Sequence, residues 1–234
     1  ERAPFDGFGP DAMAFLDGLA TENTTAYFDE HRTTYEQQVQ APLKSLVVAV
    51  GDGLRQRVGD AVRSEPKVGR SMFRINRDVR FSKDKTPYHT HLDVVFWEGE
   101  SPRTSPGFIL RVAPEHVVVG TGVFGLADER LERWRSAVLD DRTGAELEAI
   151  LRRSARSLRG ASLSEPTRAR VPRGFPADHP RADLLRRDGL HFSATLPTPA
   201  SITSARFATW CLDRHAKLAE LHQWLVREIE RPSA

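Results

Sequence analysis

Helical periodicity dominates residues 10–58, where apolar side chains recur at spacings of three and four. Three helices are predicted: a short amphipathic one after Pro10, a second capped by Asn23 or Thr24, and a third with Pro42 in its first turn. The third carries an apolar stripe suited to packing against a sheet or another helix, formed by Leu43, Leu46, Val47, Val50, Leu54 and Val58.

From about residue 72 the apolar period changes to two, which is typical of β-strands. Strand patterns run through 72–81 and 91–97, and residues 107–125 read as two strands joined by a turn at 113–116. The middle of the chain is therefore predicted to form an antiparallel sheet.

Two further helices, a late strand at 190–196 and a final helix complete the pattern. This order predicts an α+β fold, with a central antiparallel sheet covered by N-terminal and C-terminal helices. The chain is predicted to be a single domain, 1–234, because the Pro/Gly-rich stretch 172–180 is too short to link two domains.

Composition indicates a water-soluble protein without a strong global charge. Arginine and lysine number 34 against 32 acidic residues, so the net charge is only +2 and any basic site must be local. No apolar run approaches the roughly 20 residues that cross a bilayer, and the first residues do not read as a signal peptide. We expect a cytoplasmic protein with no membrane partner, and the single cysteine, Cys211, is predicted to lie in the core.

The predicted strand 72–81 carries an unusual amount of charge. Arg77 lies on a face otherwise made of apolar residues, while Asp78 lies between two arginines on the polar face. Because burying an unpaired guanidinium costs several kcal/mol, Arg77 needs a carboxylate or a bound anion. An internal ion pair, or a surface ladder of alternating charge, is the structural alternative to a binding site.

The connection that follows, "SKDK" at 82–85, adds two ammonium groups. Pro87 ends regular pairing, so Lys83 and Lys85 lie on a short loop with backbone donors nearby. This chemistry suits a phosphate or a carboxylate, although the glycines of a P-loop are absent.

The run "RDVRFSKDKTPY" at 77–88 resembles the signature of an uncharacterised family from bacteria and fungi, domain-of-unknown-function family 2461. The resemblance extends to "GFGPDAMAFLDGL", "AYFDEHRTTYEQQVQAP", "VGTGVFG" and "VPRGFPADHPRADLLRR". It implies one cytoplasmic α+β domain with the signature residues at one site, and no established activity. Family members usually carry lysine at position 89, where this chain has His89.

Four other features of the sequence are candidates for chemistry, and the loop 172–180 is the better second candidate after the charged motif. His89, His91 and Asp93 share one strand face that suits metal ligands, but a complete metal motif is absent, and we predict no metal. The proline-stiffened loop 172–180 presents Arg173, Asp178 and His179; alternatively, Asp178 caps the helix that follows. "GTG" at 120–122 lacks the rest of a dinucleotide fingerprint, so no cofactor is predicted, and its glycines indicate a bulge or a close neighbour. His31 is predicted to be a hydrogen-bonded histidine at the edge of the core.

Two hypotheses of different classes follow. The first is a basic pocket that binds a small anionic molecule, with Asp78 orienting the arginines and His179 or Asp84 as proton carrier if chemistry occurs. Its ligand-binding residues are Arg77, Asp78, Arg80, Lys83, Lys85 and Arg173. The second is a protein-interaction module in which the charged motif is an ion-paired structural element. Nucleic acid is not the expected partner, because the total charge is balanced.

Overall fold

The computed structural model describes residues 3–230, which form helices and five strands. The helices are α1 (Pro10–Thr21), α2 (Thr25–Glu30), α3 (Arg32–Thr34), α4 (Ala41–Arg57), α5 (Asp128–Leu139), α6 (Asp141–Ser157), α7 (Ala182–Leu185), α8 (Arg206–His215) and α9 (Ala219–Leu225). Turns of π-helix occupy Tyr35–Gln40 and Val226–Glu230, and short 3-10 helices occupy Ala200–Thr203 and Ala216–Leu218. The strands are β1 (Leu92–Trp97), β2 (Gly107–Val112), β3 (His116–Val123), β4 (Ser162–Leu163) and β5 (Leu190–Pro197).

Helices α1 and α2 begin where the sequence predicts, whereas the third predicted helix has no separate start at Pro42. The Thr24 hydroxyl accepts a hydrogen bond from the Tyr27 backbone N–H at 3.1 Å and caps α2. The apolar stripe of α4 is buried from Leu43 to Leu54. Helix α3, the π turn and α4 follow one another without a break, although Pro42 lies in this stretch. A proline ring clashes with the carbonyl four residues earlier, and the wider π turn that precedes Pro42 accommodates it.

The five strands form one antiparallel sheet in the order β1-β2-β3-β5-β4, which confirms the predicted α+β class. The predicted turn at 113–116 is closed by the Ala113 N–H, which donates to the His116 carbonyl at 3.0 Å. A Cβ at Gly122 would lie 2.1 Å from the carbonyl oxygen of Leu190 on β5. The strand glycine therefore permits a close neighbour, as predicted.

The predicted strand through 72–81 is wrong. Met72 and Asn76 form only isolated bridges, with Val68 and Val94 and with Tyr88, and the next regular strand starts at Leu92. The alternating face also fails, since Phe73 is 48% exposed while Ile75 is buried. Aspartate side chains bond nearby backbone N–H groups in this stretch, and such local bonds compete with a strand ladder.

The chain divides into two compact units. The first comprises the residues up to Phe96 with Ile109–Val118 and Thr195–Asp213, and the second comprises Trp97–Phe108, Val119–Ala194 and the residues from Arg214. The single-domain organisation stays a prediction. Within residues 3–230, no helix combines the length and apolar content that a membrane crossing requires, and the cytoplasmic location stays a prediction.

Candidate functional site

The charged loop of residues 77–86 bonds its own charges to one another. Arg77 Nη1 donates to Asp84 Oδ2 at 2.6 Å, to the Thr86 carbonyl at 3.1 Å and to the Thr86 hydroxyl. Asp84 Oδ1 accepts from the Thr86 backbone N–H at 3.0 Å and from the Thr86 hydroxyl at 2.9 Å. The Thr86 N–H, the Arg77 guanidinium and the Thr86 hydroxyl together lower the pKa of Asp84 to about 2. The carboxylate is therefore ionised near neutral pH and a weak base, and its proton-carrying role stays a prediction.

Arg80 and Asp78 form a second pair in the same loop. Arg80 donates from Nε at 2.9 Å and from Nη2 at 2.7 Å to the Asp78 carboxylate, and its backbone N–H donates at 3.2 Å. The side-chain bonds and then the backbone bond lower the pKa of Asp78. Both side chains are largely exposed, so the pair orders the loop locally and contributes little to global stability.

The lysines of the loop differ in their contacts. Lys85 Nζ donates to the carbonyl of Val79 at 2.9 Å and to that of Arg80 at 3.4 Å. Lys83 is exposed and makes no hydrogen bond or ion pair with any residue that the structure describes. Of the five predicted cationic ligands four lie in this loop, and three of those four bond groups of the loop itself. Their convergence on an anion stays a prediction.

The residues just before this loop line a cleft of about 700 Å³ in the first unit. One wall is a single face of the continuous helix 32–57, because four of its lining residues recur every four positions and the fifth, Tyr35, lies three positions after Arg32. That wall consists of Arg32, Tyr35, Glu36, Gln40 and Lys44, and the rest of the lining consists of Phe28, Val68, Arg74, Ile75, Asn76 and Tyr88. The π turn supplies Tyr35, Glu36 and Gln40, and π turns inside helices frequently mark functional sites.

Two cations of the cleft have no charged partner among the described residues. The side chains of Lys44 and Arg74 are exposed and make no hydrogen bond or ion pair with residues 3–230. The third cation, Arg32, donates to Asp29 at 2.5 Å. Glu36 is the one carboxylate in the lining, so the cleft has an excess of positive charge. An anion that enters it meets cations from two separate chain segments.

The neutral groups of the cleft are held in place. Burial raises the pKa of Tyr35, the hydrogen bond with Gln40 opposes this, and the charge of Glu36 reinforces it, so the phenol stays protonated. Tyr88 stacks on Phe28 with ring centroids 4.4 Å apart. The Asn23 side chain accepts from the Tyr88 N–H at 2.9 Å and donates to the Tyr88 carbonyl at 3.0 Å, which pins this wall to the helical segment.

The histidines and the aspartate after the loop form an ion-pair cluster. Arg111 donates from Nε and Nη2 to the two Asp93 carboxylate oxygens at 2.7 and 2.8 Å, and His91 Nε2 lies 3.4 Å from Asp93 Oδ2. The His89 ring is 4.9 Å from the His91 ring, and burial followed by the charge of His91 lowers the pKa of His89. Within residues 3–230, no three His, Cys, Asp or Glu side chains are placed to hold a metal ion.

The loop 172–180 belongs to the second unit. The Arg181 backbone N–H donates to His179 Nδ1 at 3.1 Å, so the histidine, rather than Asp178, bonds the backbone at the start of α7. Arg173 and Asp178 are exposed. The ligand-binding role of Arg173 and the catalytic role of His179 stay predictions.

Two residues set aside as structural behave as predicted. Cys211 is buried in the core. His31 Nδ1 lies 2.9 Å from the Tyr27 carbonyl, and its ring stacks on that of Tyr27, with centroids 4.2 Å apart.

Sequence reasoning missed most of the cleft. Arg32, Gln40 and Lys44 lie on the polar face of a helix, where such residues are usually solvated. Their spacing was visible, but nothing in the pattern showed that residues 74–76 would fold against that face. The one available signal was Arg74, which begins the charged segment.

Comparison with protein families gives a match over residues 11–224 to the family model described as conserved hypothetical protein, DUF2461. Comparison with curated proteins gives no match. Since the matched region covers nearly the whole chain, the protein belongs to the DUF2461 family of conserved hypothetical proteins.

Proposed function

We propose that the protein binds a small anionic molecule in the cleft between the helical face 32–44 and residues 74–76. The observation that carries this proposal is the pair of cations Lys44 and Arg74, which line one concavity and have no charged partner among the described residues. Both side chains are exposed and free to turn toward a ligand, and an anion that bonds them gains charge-assisted hydrogen bonds.

The other residues that line the cleft indicate which chemical groups the ligand contains. The Arg74 guanidinium offers a planar fork for two oxygens of a phosphate or carboxylate, and Lys44 adds a point charge. Gln40, Asn76 and the Tyr35 hydroxyl can hydrogen-bond an uncharged polar part of the molecule. A phosphorylated or carboxylated metabolite with hydroxyl groups fits this set. Catalytic conversion stays a separate prediction, because its predicted proton carriers, Asp84 and His179, are not among the residues that line this cleft.

The proposal is tested by a thermal-shift panel of phosphorylated and carboxylated metabolites, followed by calorimetry on the hits. Arg74→Gln and Lys44→Gln should each weaken binding about 10- to 100-fold, since a hydrogen bond to a charged group contributes about 1.5–3 kcal/mol. Neither change should affect stability, because these side chains are exposed and make no bond within residues 3–230.

Arg63→Gln and Lys217→Gln are matched controls, because both side chains are exposed and lie outside the cleft. They should bind as the parent protein does. The proposal fails if no compound shifts the folded protein, or if the cleft variants bind a hit with unchanged affinity.

A second candidate function is a protein-interaction module. It is favoured by the pairing of Arg77 with Asp84 and of Arg80 with Asp78, which makes the charged motif an ion-paired structural element. Pull-down at low and high salt tests this class. Recovery of one stoichiometric protein, with an empty cleft, favours it over the metabolite site.

A further inference from the structure

Phe81, in the middle of the charged loop, is almost completely exposed. Its exposed fraction is 96%, against 48% for Phe73 and 47% for Phe124, the other two large exposed hydrophobic side chains of the described residues. Within residues 3–230, its only ring contact is with the Arg80 guanidinium, whose carbon lies 5.9 Å from the ring centroid. The side chain therefore contributes almost nothing to the core.

The loop that carries Phe81 is held in one conformation by bonds on both sides of it. Before Phe81, the Arg77 N–H donates to the Pro87 carbonyl at 2.8 Å and closes the base of the loop. After it, Lys85 Nζ reaches back to the carbonyls of Val79 and Arg80. A loop fixed in advance loses little conformational freedom on binding, and aromatic anchors on such loops carry much of the affinity of protein interfaces.

The loop also has a definite charge. Residues 77–85 contain four cations and two aspartates, an excess of two positive charges, which equals the net charge of the whole chain. A partner surface that receives Phe81 therefore has to be acidic around the contact, since like charges across an interface are strongly unfavourable.

We infer that Phe81 is the anchor of a docking loop, and that its partner is a protein with an apolar pocket bordered by carboxylates. The inference rests on the second candidate function and names the contact. Discrete carboxylates can be placed opposite Lys83, which has no bonded partner among the described residues, and away from Asp78 and Asp84. A nucleic acid would bring its phosphates against these two exposed aspartates. One aromatic side chain is too small an apolar surface to hold a protein on a membrane.

The test places a photo-crosslinking amino acid at position 81 of the full chain in cells, and at position 73 as a control. A partner that crosslinks through position 81 alone is mapped by mass spectrometry and purified. Phe81→Ser should then weaken its binding at least about tenfold, while Phe73→Ser leaves it nearly unchanged. Lys83→Glu should slow association, and the crosslinked segment should be acidic. Thermal unfolding of Phe81→Ser should match the parent protein, because the side chain is exposed.

Other outcomes overturn the inference in distinguishable ways. If the partner binds Phe81→Ser with unchanged affinity, the protein is an interaction module but Phe81 is not its anchor. Equal crosslinking at positions 81 and 73, or none at 81, also refutes the role of Phe81 as anchor. Failure to capture any partner in the pull-down refutes the interaction function as well. Crosslinking to a second copy of the chain, or Phe81-dependent binding to phosphatidylserine vesicles or single-stranded RNA, replaces the acidic protein with another class of partner.

Discussion

Replacing Asp93 with asparagine tests how far the Arg111 ion pair stabilises the first unit. Burial by itself would raise the pKa of Asp93, but the interactions with His91 and Arg111 outweigh burial and lower it from the ordinary 3.8 to about 2. Because a tenfold change in an ionisation constant corresponds to about 1.4 kcal/mol, the folded state gains about 2 kcal/mol from this carboxylate at neutral pH. The Asp93 side chain is only 22% exposed, so solvent screening reduces the gain little.

The sign of the pH dependence follows from the lowered pKa. The stabilisation is complete above the unfolded pKa, near 4, and is lost as the pH falls through the folded value, near 2. About half of it should be gone by pH 3. Asp93→Asn should thus lose about 2 kcal/mol of unfolding free energy at pH 7, and its difference from the parent protein should shrink by about half at pH 3.

Urea denaturation at pH 7, 5, 4 and 3, followed by the fluorescence of the four tryptophans, measures this difference. The matched control is Asp213→Asn, which breaks the 2.7 Å pair with Arg57 between two exposed side chains and should cost less than about 1 kcal/mol. Equal losses for the two variants, or a difference that does not change between pH 7 and pH 3, would refute the reasoning.

Two further variants test packing in the second unit. Gly122→Ala should destabilise the protein by at least about 2 kcal/mol, because the new Cβ would lie 2.1 Å from the Leu190 carbonyl oxygen. The control Gly59→Ala, whose new Cβ would have no atom within 4 Å, should change the free energy of unfolding by less than about 0.5 kcal/mol. Equal melting temperatures would contradict this. Arg181→Met should lower the free energy of unfolding by about 2–3 kcal/mol, because the buried guanidinium donates to the Val138 carbonyl at 2.6 Å at the end of α5. Chemical denaturation should show a smaller loss for the control Arg186→Met, whose side chain is more exposed. A loss no larger than that of Arg186→Met would show that the carbonyls are satisfied without Arg181.

The sequence by itself determined the elements that depend on local chemistry. The cap at Thr24, the buried stripe of α4 and the strands β1 to β3 follow from side-chain periodicity, capping and turn residues within a few positions of each element. The α+β class follows from their order. The need of Arg77 for a partner, either a carboxylate or a bound anion, was also predicted, but from a strand face that does not form; Asp84 bonds it in the structure.

Tertiary structure alone decided the rest. Residues 72–81 alternate like a strand, yet Asp78 and Asp84 bond neighbouring backbone N–H groups, and the loop replaces the ladder. Lys44 and Arg74 lie about 30 residues apart in the chain and line one cleft, in which cations outnumber the carboxylate of Glu36. A local sequence pattern does not predict which surface cations become neighbours in space. A charged side chain pairs with the groups nearest to it in space, whereas sequence periodicity describes only spacing along the chain.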